Sequence, residues 1–414
     1  MLQKLSGRCC EVFSATVRIR DGGTACHARK EARLDLLLDE FQATASTTDR
    51  TAAFGKGFDL ALLGLFGEVG SLLSEVKKRQ RDSVSFIGYE DAVVEEMGDV
   101  LWYLAAIARA AGIPLSSLAA QALGGQTPEK ATFSRLQPQQ ALPFSLPTIA
   151  FEKTLLKLAA AVGVLTGFRT GDEDHVPADH LALQLASILG LLVDAANEAG
   201  VTLEVAAARN LAKTADRWQA KGSAPVFDES FPIEEQLPRA LEVEIFERKA
   251  ANGKHYVVQR VNGVFVGDRL TDNIMKPDDY RFHDAFHYAY AAVLGWSPVT
   301  RALLKLKRKS ETSIDEGEDG ARAILLEEAV ATYVFGEAKQ LEFFKGRMPG
   351  ELSFTLLKSV RQFVRGYEAA NCPLWLWEKA ILQGNEAFRF LQERRRGKLA
   401  IDFANRQLTI SELP

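Results

Sequence analysis

Residues 60–76, LALLGLFGEVGSLLSEV, and residues 95–112, EEMGDVLWYLAAIARAAG, decide the fold of this chain. In both stretches apolar residues recur every three or four positions, which predicts two amphipathic helices. Acids interrupt the apolar pattern: Glu68 in the first stretch, and Glu96 and Asp99 in the second. A carboxylate that faces a packed helix interface is costly to bury unless a cation lies beside it. The two stretches therefore predict a helical bundle that holds a cation.

The composition is that of an ordinary globular protein. The chain has 414 residues, of which 47% are hydrophobic and 25% are charged, and its formal net charge is −4. This length predicts two or three domains, and the mild negative charge argues against bulk binding of nucleic acid. Four cysteines without CxxC spacing predict a reduced, cytoplasmic protein. No apolar run is long enough to predict a membrane span.

Breaks in periodicity divide the chain into segments. Residues 239–270 alternate apolar and polar side chains around Asn-Gly pairs at 252–253 and 262–263, which predicts a small antiparallel β-meander. Helical patterns follow from Tyr280 to about Arg396. The predicted fold is mainly α, a duplicated helical bundle followed by a smaller α+β domain. We predict a tail at 1–33, a first repeat at 34–123, a linker at 124–148, a second repeat at 149–219, a linker at 220–238 and the α+β domain at 239–414.

An internal repeat underlies the two helical segments. The stretch AAGIPLSSLAAQAL at 110–123 matches EAGVTLEVAAARNL at 198–211. The second copy keeps the apolar face and loses every acid, and in return it carries Asn210, Lys213 and Arg217. One copy thus holds the acids and the other holds amide and cationic groups. This complementary loss predicts a single site shared between the two repeats.

The acids are spaced to share helix faces. Glu68 and Glu75 lie two turns apart on one face, and Glu96 and Asp99 lie one turn apart on another. Carboxylate oxygens in this arrangement suit Mg²⁺, with Mn²⁺ as the alternative ion. We expect Glu68, Glu96 and Asp99 to be the metal ligands.

These residues carry a family resemblance. The runs GLFGEVG at 64–70 and EEMGDVLWYL at 95–104 resemble the MazG-type nucleoside triphosphate pyrophosphohydrolases, members of the all-α NTP pyrophosphatase superfamily. That family has an ExxE…ExxD signature, and Glu96 and Asp99 match its second half. The run ARNLAKTADRW at 208–218 resembles the family's last helix, whose Asn and Lys contact the nucleotide.

The resemblance implies a function and a set of roles. Mg²⁺-dependent hydrolysis of a nucleoside triphosphate would release a monophosphate and pyrophosphate. Ser71 stands where the signature has its second Glu, and Glu75, one turn further on, is expected to replace it. The expected catalytic residues are Glu68, Glu75 and Glu95, and the expected substrate-binding residues are Asn210, Lys213 and Arg217. We further expect a homodimer or larger homo-oligomer, without membrane attachment; the alternative is a non-catalytic nucleotide sensor.

The C-terminal segment carries a second candidate site. His283 and His287 are four residues apart and share a helix face, which suits a metal such as Zn²⁺. Asp284 lies between them, and Glu327 and Glu328 lie on a later apolar helix, a spacing loosely similar to the HExxH…E pattern of metallopeptidases. The alternative functions are therefore a His/Asp metallohydrolase centred here, or two histidines that merely pack along a buried helix.

A basic run lies between these two patterns. Lys307 and Arg308 precede an acidic stretch, which predicts either a solvated loop with salt bridges or a grip on a phosphate group. This segment also resembles the uncharacterised helical domain that follows some MazG-type proteins. That label implies no particular chemistry.

Overall fold

The computed structural model describes residues 36–50, 57–125, 131–138, 143–144, 146–170, 178–218 and 224–413. The fold class predicted from the sequence is confirmed: the chain is mainly helical, with a small five-stranded antiparallel sheet in its C-terminal region. The predicted tail at residues 1–33 lies outside the described residues.

The N-terminal half consists of helices packed around one apolar core. Its helices are α1 (Leu38–Ser46), α2 (Gly57–Asp82), α3 (Tyr89–Ala110), α4 (Leu115–Ala122), α5 (Phe133–Leu136), α6 (Ile149–Thr170), α7 (Ala178–Ala199) and α8 (Leu203–Arg217). The core forms because each long helix turns one apolar stripe inward. Leu65 and Leu72 of α2, Leu101 of α3, Leu158 of α6 and Leu189 of α7 are all fully buried in it.

Helix lengths agree with the predicted repeat. Helices α3 and α7 are each 22 residues long, and each is followed after a short break by another helix, α4 or α8. Gly112 and Gly200 occupy these breaks with positive φ angles of 72°, a backbone conformation that favours glycine. The duplication itself stays a prediction.

Part of the predicted linker at 124–148 packs into the core. Phe133 and Leu136 are buried, and the Phe133 ring meets the Phe41 ring edge-on with centroids 5.6 Å apart. The Leu38 backbone N–H also donates to the Ala131 carbonyl at 2.9 Å. A short apolar helix flanked by proline-containing chain is difficult to distinguish from a spacer by periodicity alone.

The C-terminal half has a second core between helices and the sheet. Its helices are α9 (Asp284–Leu294), α10 (Pro298–Leu304), α11 (Thr312–Gly317), α12 (Ala321–Gln340), α13 (Phe354–Phe363) and α14 (Leu374–Arg394). Its strands are β1 (Ala240–Lys249), β2 (His255–Val261), β3 (Val264–Leu270), β4 (Arg396–Asp402) and β5 (Gln407–Ser411), in the order β3-β2-β1-β4-β5. Helix α9 is buried along its whole length.

The sheet confirms the predicted meander and adds two strands. Asn262 and Gly263 both have positive φ, 50° and 80°, so they form the tight turn that an Asn-Gly pair favours between β2 and β3. Strands β4 and β5 were not predicted. They follow α14 directly, and β4 pairs with β1, more than 150 residues earlier in the chain. Helical periodicity up to Arg396 gave no indication of that pairing.

The two halves meet along α8 and belong to one compact unit, Leu36–Pro414. The Asp216 carboxylate accepts hydrogen bonds from Arg361 and, at 3.3 Å, from the Leu374 backbone N–H. The Trp218 ring lies against Gly350, where a Cβ would come within 2.7 Å of it. The C-terminal half therefore holds the end of α8 in place.

Among the residues that the structure describes, one helix is long and apolar enough to cross a membrane. It is Asp179–Ala199, and 44% of its apolar window is buried inside the protein. Helices α3 and α4 pass the same test only together, across a bend of 110°. The buried face of α7 includes Leu185, Ile188 and Leu192, which belong to the N-terminal core.

Candidate functional site

Three carboxylates converge between α2 and α3. Glu68 comes from α2, and Glu96 and Asp99 come from successive turns of α3. Each offers an oxygen, and these oxygens lie within 4.8 Å of one another. All three side chains are half-buried. We call Glu68, Glu96 and Asp99 the acidic cluster.

Helix α8 lays an amide and a cation against this cluster. Asn210 Nδ2 donates to Asp99 Oδ1 at 2.7 Å, and Lys213 Nζ donates to Asp99 Oδ2. Lys213 also pairs with Glu95 Oε1 at 2.8 Å. The groups that the sequence assigned to two different repeats thus lie side by side.

Gly98 allows this close approach. A Cβ at Gly98 would lie 2.7 Å from the Ala206 carbonyl oxygen and 3.1 Å from Asn210 Cβ. Both partners belong to α8, and a backbone carbonyl cannot swing aside as a flexible side chain can. The absence of a side chain at Gly98 is therefore what permits α8 to present Asn210 and Lys213 to Asp99.

Lys358, which sequence reasoning missed, also reaches the site. It lies on α13 in the C-terminal half, and its Nζ donates to Glu95 Oε1 at 2.6 Å. Lys213 and Lys358 lie near each other, since their Nζ atoms are 5.7 Å and 4.8 Å from the centre of the same Phe354 ring. A lysine on an amphipathic surface helix carries no sequence signal for such a role. Lys358 and Glu95 are 263 positions apart in the chain, and only the fold brings them together.

The carboxyl groups of the acidic cluster perturb one another. Burial, together with a hydrogen bond to Glu68 and the charges of Glu68 and Asp99, raises the pKa of Glu96 to about 8. Burial and the nearby Asp99 charge raise the pKa of Glu68. Burial also raises the pKa of Asp99, although Lys213 opposes this shift. Like charges held this close disfavour full ionisation unless a cation offsets them.

Glu95 behaves differently. Burial acts to raise its pKa, but hydrogen bonds from Lys213 and Lys358 outweigh burial, and the net pKa is lowered. Glu95 is therefore an ionised carboxylate at neutral pH, next to three acids whose pKa values are raised.

The acidic cluster fits a hard divalent cation. Within the described residues, Glu96 Oε2 is buried and has no hydrogen-bond partner. An orphaned carboxylate oxygen is costly to bury, and oxygen atoms from several carboxylates are the ligands that Mg²⁺ and Mn²⁺ accept. The donor set therefore suits the ion expected from the sequence.

Two predicted site residues lie elsewhere. Glu75 is buried and pairs with Lys78 at 2.5 Å, outside the acidic cluster, so the structure does not support it as the replacement for the acid missing at Ser71. Arg217 is also buried, and its guanidinium pairs with Glu378 at 2.6 Å and donates to the Leu352 carbonyl at 2.9 Å. The ion pair and hydrogen bonds of Arg217 therefore hold α8 against the C-terminal half.

The second candidate site is assembled as well. Metal-ligand atoms of His283, Asp284 and His287 lie within 4.8 Å of one another. Glu327 is fully buried and bonds to His287 Nδ1 at 2.9 Å, and Glu328 Oε2 lies 3.4 Å from His287 Nε2. All five residues named by the sequence are therefore neighbours.

The predicted phosphate grip does not form around Arg308. Its side chain is buried, and its guanidinium pairs with Asp319 at 2.8 Å and with Glu368 at 2.8 Å. The basic run instead closes a buried ion-pair network. Lys307, its neighbour, is half-buried and has no assigned role.

Comparisons with known proteins relate the chain to the MazG family. Residues 222–414 match the family model of the MazG C-terminal domain. The gene 37 protein of Mycobacterium phage L5 is 34% identical over 88 residues, which cover 20% of this chain and 77% of that protein. No solved structure matches the chain.

Proposed function

The chain is a MazG-related protein, and from this premise we propose that its helical half is a nucleotide pyrophosphohydrolase. The proposed reaction cleaves the α–β phosphoanhydride of a nucleoside triphosphate and releases a monophosphate and pyrophosphate. The proposed cofactor is Mg²⁺, with Mn²⁺ as the alternative ion.

One observation carries the proposal: an acidic cluster and two lysines occupy the same half-buried place. Glu68, Glu96 and Asp99 offer oxygens within 4.8 Å of one another, and Lys213 and Lys358 flank them. A metal ion bound by acids beside lysine ammonium groups suits a polyphosphate chain, because the charge of that chain is spread over several oxygens.

Glu68, Glu96 and Asp99 would hold the metal ion. When bound, such an ion supplies Lewis-acid polarisation of a phosphate oxygen and lowers the pKa of a bound water. The buried, unpartnered Glu96 Oε2 is the oxygen whose burial cost this binding would offset.

The remaining residues act on the substrate. Lys213 and Lys358 would offset negative charge on the phosphates, and Lys358 is accessible to a substrate because half of its side chain is exposed. Asn210 would keep Asp99 oriented through its 2.7 Å hydrogen bond. Glu95, whose pKa is lowered, is ionised at neutral pH and would accept a proton from the attacking water.

The alternative of a His/Asp metallohydrolase centred on the C-terminal half receives no better support. The family model that matches residues 222–414 is that of the MazG C-terminal domain, which favours nucleotide chemistry. The histidines are nevertheless assembled into a cluster that has consequences of its own.

The test is pyrophosphate release from a panel of nucleotides with Mg²⁺ or Mn²⁺. We expect Glu96→Gln and Asp99→Asn each to lower turnover by about 100-fold or more, because each removes a ligand worth several kcal/mol in the transition state. Glu90→Gln is the matched control, since it makes the same chemical change at an exposed position of the same helix. Circular dichroism would verify that helicity is unchanged.

Two results would overturn the proposal. Unchanged turnover in both cluster variants would remove the acidic cluster from the chemistry. Tight nucleotide binding by the wild-type protein without pyrophosphate release, across the whole panel, would make the protein a sensor instead.

A further inference from the structure

We propose that His283, Asp284, His287 and Glu328 form a second metal site, which binds a divalent transition-metal ion independently of the acidic cluster. We call these four residues the histidine cluster. Nothing in the proposed nucleotide chemistry requires this site, so the two proposals stand or fall separately.

The histidine cluster joins two helices in the core of the C-terminal half. His283 precedes α9, Asp284 and His287 lie in its first turns, and Glu328 lies on α12. His287 is completely buried, and His283 and Asp284 are nearly so. Only Glu328 reaches solvent, with 38% of its side chain exposed. A bound ion would therefore link α9 to α12 at a place open to solvent on one side.

Hydrogen bonds leave the Nε2 atoms of both imidazoles available as ligands. His283 Nδ1 lies 2.9 Å from the Tyr280 carbonyl oxygen, and His287 Nδ1 lies 2.9 Å from Glu327 Oε1. A carbonyl or carboxylate oxygen only accepts, so each Nδ1 carries the proton. A metal ion would then bind through Nε2, and a hydrogen bond of this kind on the far nitrogen is typical of metal-binding histidines.

Both imidazole Nε2 atoms lie near a carboxylate oxygen at a separation that a tetrahedral metal ion would accommodate. His283 Nε2 is 3.4 Å from Asp284 Oδ1 and 3.5 Å from Glu328 Oε2. His287 Nε2 is 3.4 Å from the same Glu328 oxygen. Ligands about 2.0–2.1 Å from a tetrahedral ion lie about 3.3–3.4 Å from one another. Three of the separations in the histidine cluster are close to that value.

A second set of contacts orients the acids. Gln259 Nε2 donates to Asp284 Oδ2 at 2.5 Å, and the Tyr288 hydroxyl donates to Gln259 Oε1 at 2.7 Å. Glu327 accepts from Ser297 Oγ at 2.7 Å and from the Val299 N–H at 2.9 Å. Such outer hydrogen bonds fix the orientation of metal ligands and are typical of metal sites.

The charges in the histidine cluster call for a cation. Asp284, Glu327 and Glu328 bring three carboxylates together, yet among residues 36–413 that the structure describes no lysine or arginine pairs with any of them. His287 Nε2 is buried and has no hydrogen-bond partner among the same residues. A divalent ion would satisfy this nitrogen and offset the acids at once.

The donor set selects the class of ion. Two imidazole nitrogens with carboxylate oxygens suit Zn²⁺ and other first-row transition metals, whereas Mg²⁺ prefers oxygen ligands alone. The acidic cluster has no nitrogen ligand and therefore favours Mg²⁺ over Zn²⁺. Zn²⁺ and the spectroscopic probe Co²⁺ are therefore the ions to use.

The experiment measures metal in the purified full-length protein. After treatment with a chelator, Zn²⁺ is titrated back and the bound metal is counted per chain, and melting is followed with and without the ion. We expect one tightly bound Zn²⁺ per chain, a rise of several degrees in melting temperature, and Co²⁺ absorption bands typical of nitrogen and oxygen ligands.

Variants assign the ion to the histidine cluster. His283→Ala should abolish tight binding, and Glu328→Gln, at a half-exposed position that tolerates change, should weaken it about tenfold or more. His255→Ala is the matched control, because His255 lies on a strand outside the histidine cluster. Glu96→Gln should retain the Zn²⁺, which separates this site from the acidic cluster.

Three results would overturn the proposal. The first is a wild-type protein that neither retains Zn²⁺ or Co²⁺ nor melts higher with either, which would make the cluster a buried network with a protonated His287. The second is equal Zn²⁺ binding by the wild-type and His283→Ala proteins. The third applies if His283→Ala fails to fold. It is an unchanged Zn²⁺ affinity in Glu328→Gln together with no Co²⁺ absorption bands in the wild-type protein.

Discussion

The acidic cluster and the histidine cluster each gather carboxylates from two helices, but they are built for different ions. The acidic cluster offers only oxygen atoms, is half-buried, and is flanked by Lys213 and Lys358. The histidine cluster offers two nitrogens, lies deep in a core, and has no lysine or arginine partner among the described residues.

The difference separates a place for a substrate from a place for a resident ion. Lysines beside a half-buried acidic cluster can contact a phosphate chain, and loosely held Mg²⁺ suits the exchange of substrate. Buried imidazoles with their far nitrogens hydrogen-bonded are positioned before any ion arrives, which favours tight binding. Burial and ligand type, more than the number of acids, therefore distinguish the two clusters.

Of the changes outside the metal ligands, Gly98→Ala should have the largest effect on the acidic cluster, and it should leave the histidine cluster unchanged. The added methyl would meet the Ala206 carbonyl at 2.7 Å and push α8 away from Asp99. We expect a loss of about 1–3 kcal/mol in the free energy of unfolding, as for other overpacked sites. Pyrophosphate release should fall about tenfold or more, since 1.4 kcal/mol corresponds to a factor of ten.

The control for this variant is Gly163→Ala on α6, where a Cβ would meet nothing within 4 Å. That change should stabilise the protein by up to about 1 kcal/mol, because alanine favours helix more than glycine does. Retention of Zn²⁺ by both variants would support independent clusters. Loss of Zn²⁺ in Gly98→Ala, but not in Gly163→Ala, would show that the two clusters are not independent.

Lys358→Ala should have a smaller effect, confined to substrate binding. Its half-exposed ammonium pairs with Glu95 at 2.6 Å and would shift to the phosphates. We expect KM for the nucleotide to rise about fivefold, equivalent to about 1 kcal/mol, with kcat within about twofold. Steady-state kinetics of pyrophosphate release gives both constants.

Lys339→Ala is the matched control for Lys358→Ala. Lys339 is similarly exposed, 52% against 49%, and its Nζ pairs with Asp278 at 3.0 Å and not with a residue of the acidic cluster. An equal rise in KM for both variants would show a general charge effect and would remove Lys358 from the site. The same assay on Lys213→Ala should show a larger rise, since Lys213 contacts two acids.

Glu75→Gln should have the smallest effect, and it tests the sequence prediction directly. Because Glu75 pairs with Lys78 outside the acidic cluster, we expect turnover within about twofold of wild type. A large loss of pyrophosphate release, with normal melting, would show that Glu75 does replace the acid missing at Ser71.

The position of Glu75 outside the acidic cluster has a simple geometric cause. A spacing of seven residues returns a side chain to the same face of a helix, but it also moves it about 10.5 Å along the axis. Carboxylates that share an ion must lie within a few ångströms of one another, so a shared face is necessary but not sufficient. Glu96 and Asp99, only one turn apart, satisfy both conditions.

The placement of Arg217 and Arg308 shows a related limit. The sequence shows that a guanidinium is present, but it does not show which acid forms an ion pair with it. Glu378 takes Arg217 and Asp319 takes Arg308, and these pairs lie 161 and 11 residues apart in the chain. Long-range ion pairs leave no periodic trace, so a buried structural arginine and a phosphate-binding one look alike in the sequence.

Local patterns by themselves determined much of this protein. Helical periodicity placed the long helices, the Asn-Gly pairs placed the meander, and the spacing of Glu96, Asp99, His283 and His287 marked both clusters, because these depend on neighbours within a turn or two. The tertiary structure alone decided that Gly98 admits α8, that Lys358 reaches Glu95, and that β4 pairs with β1. Those contacts join distant parts of the chain, and the packing of the whole molecule selects them.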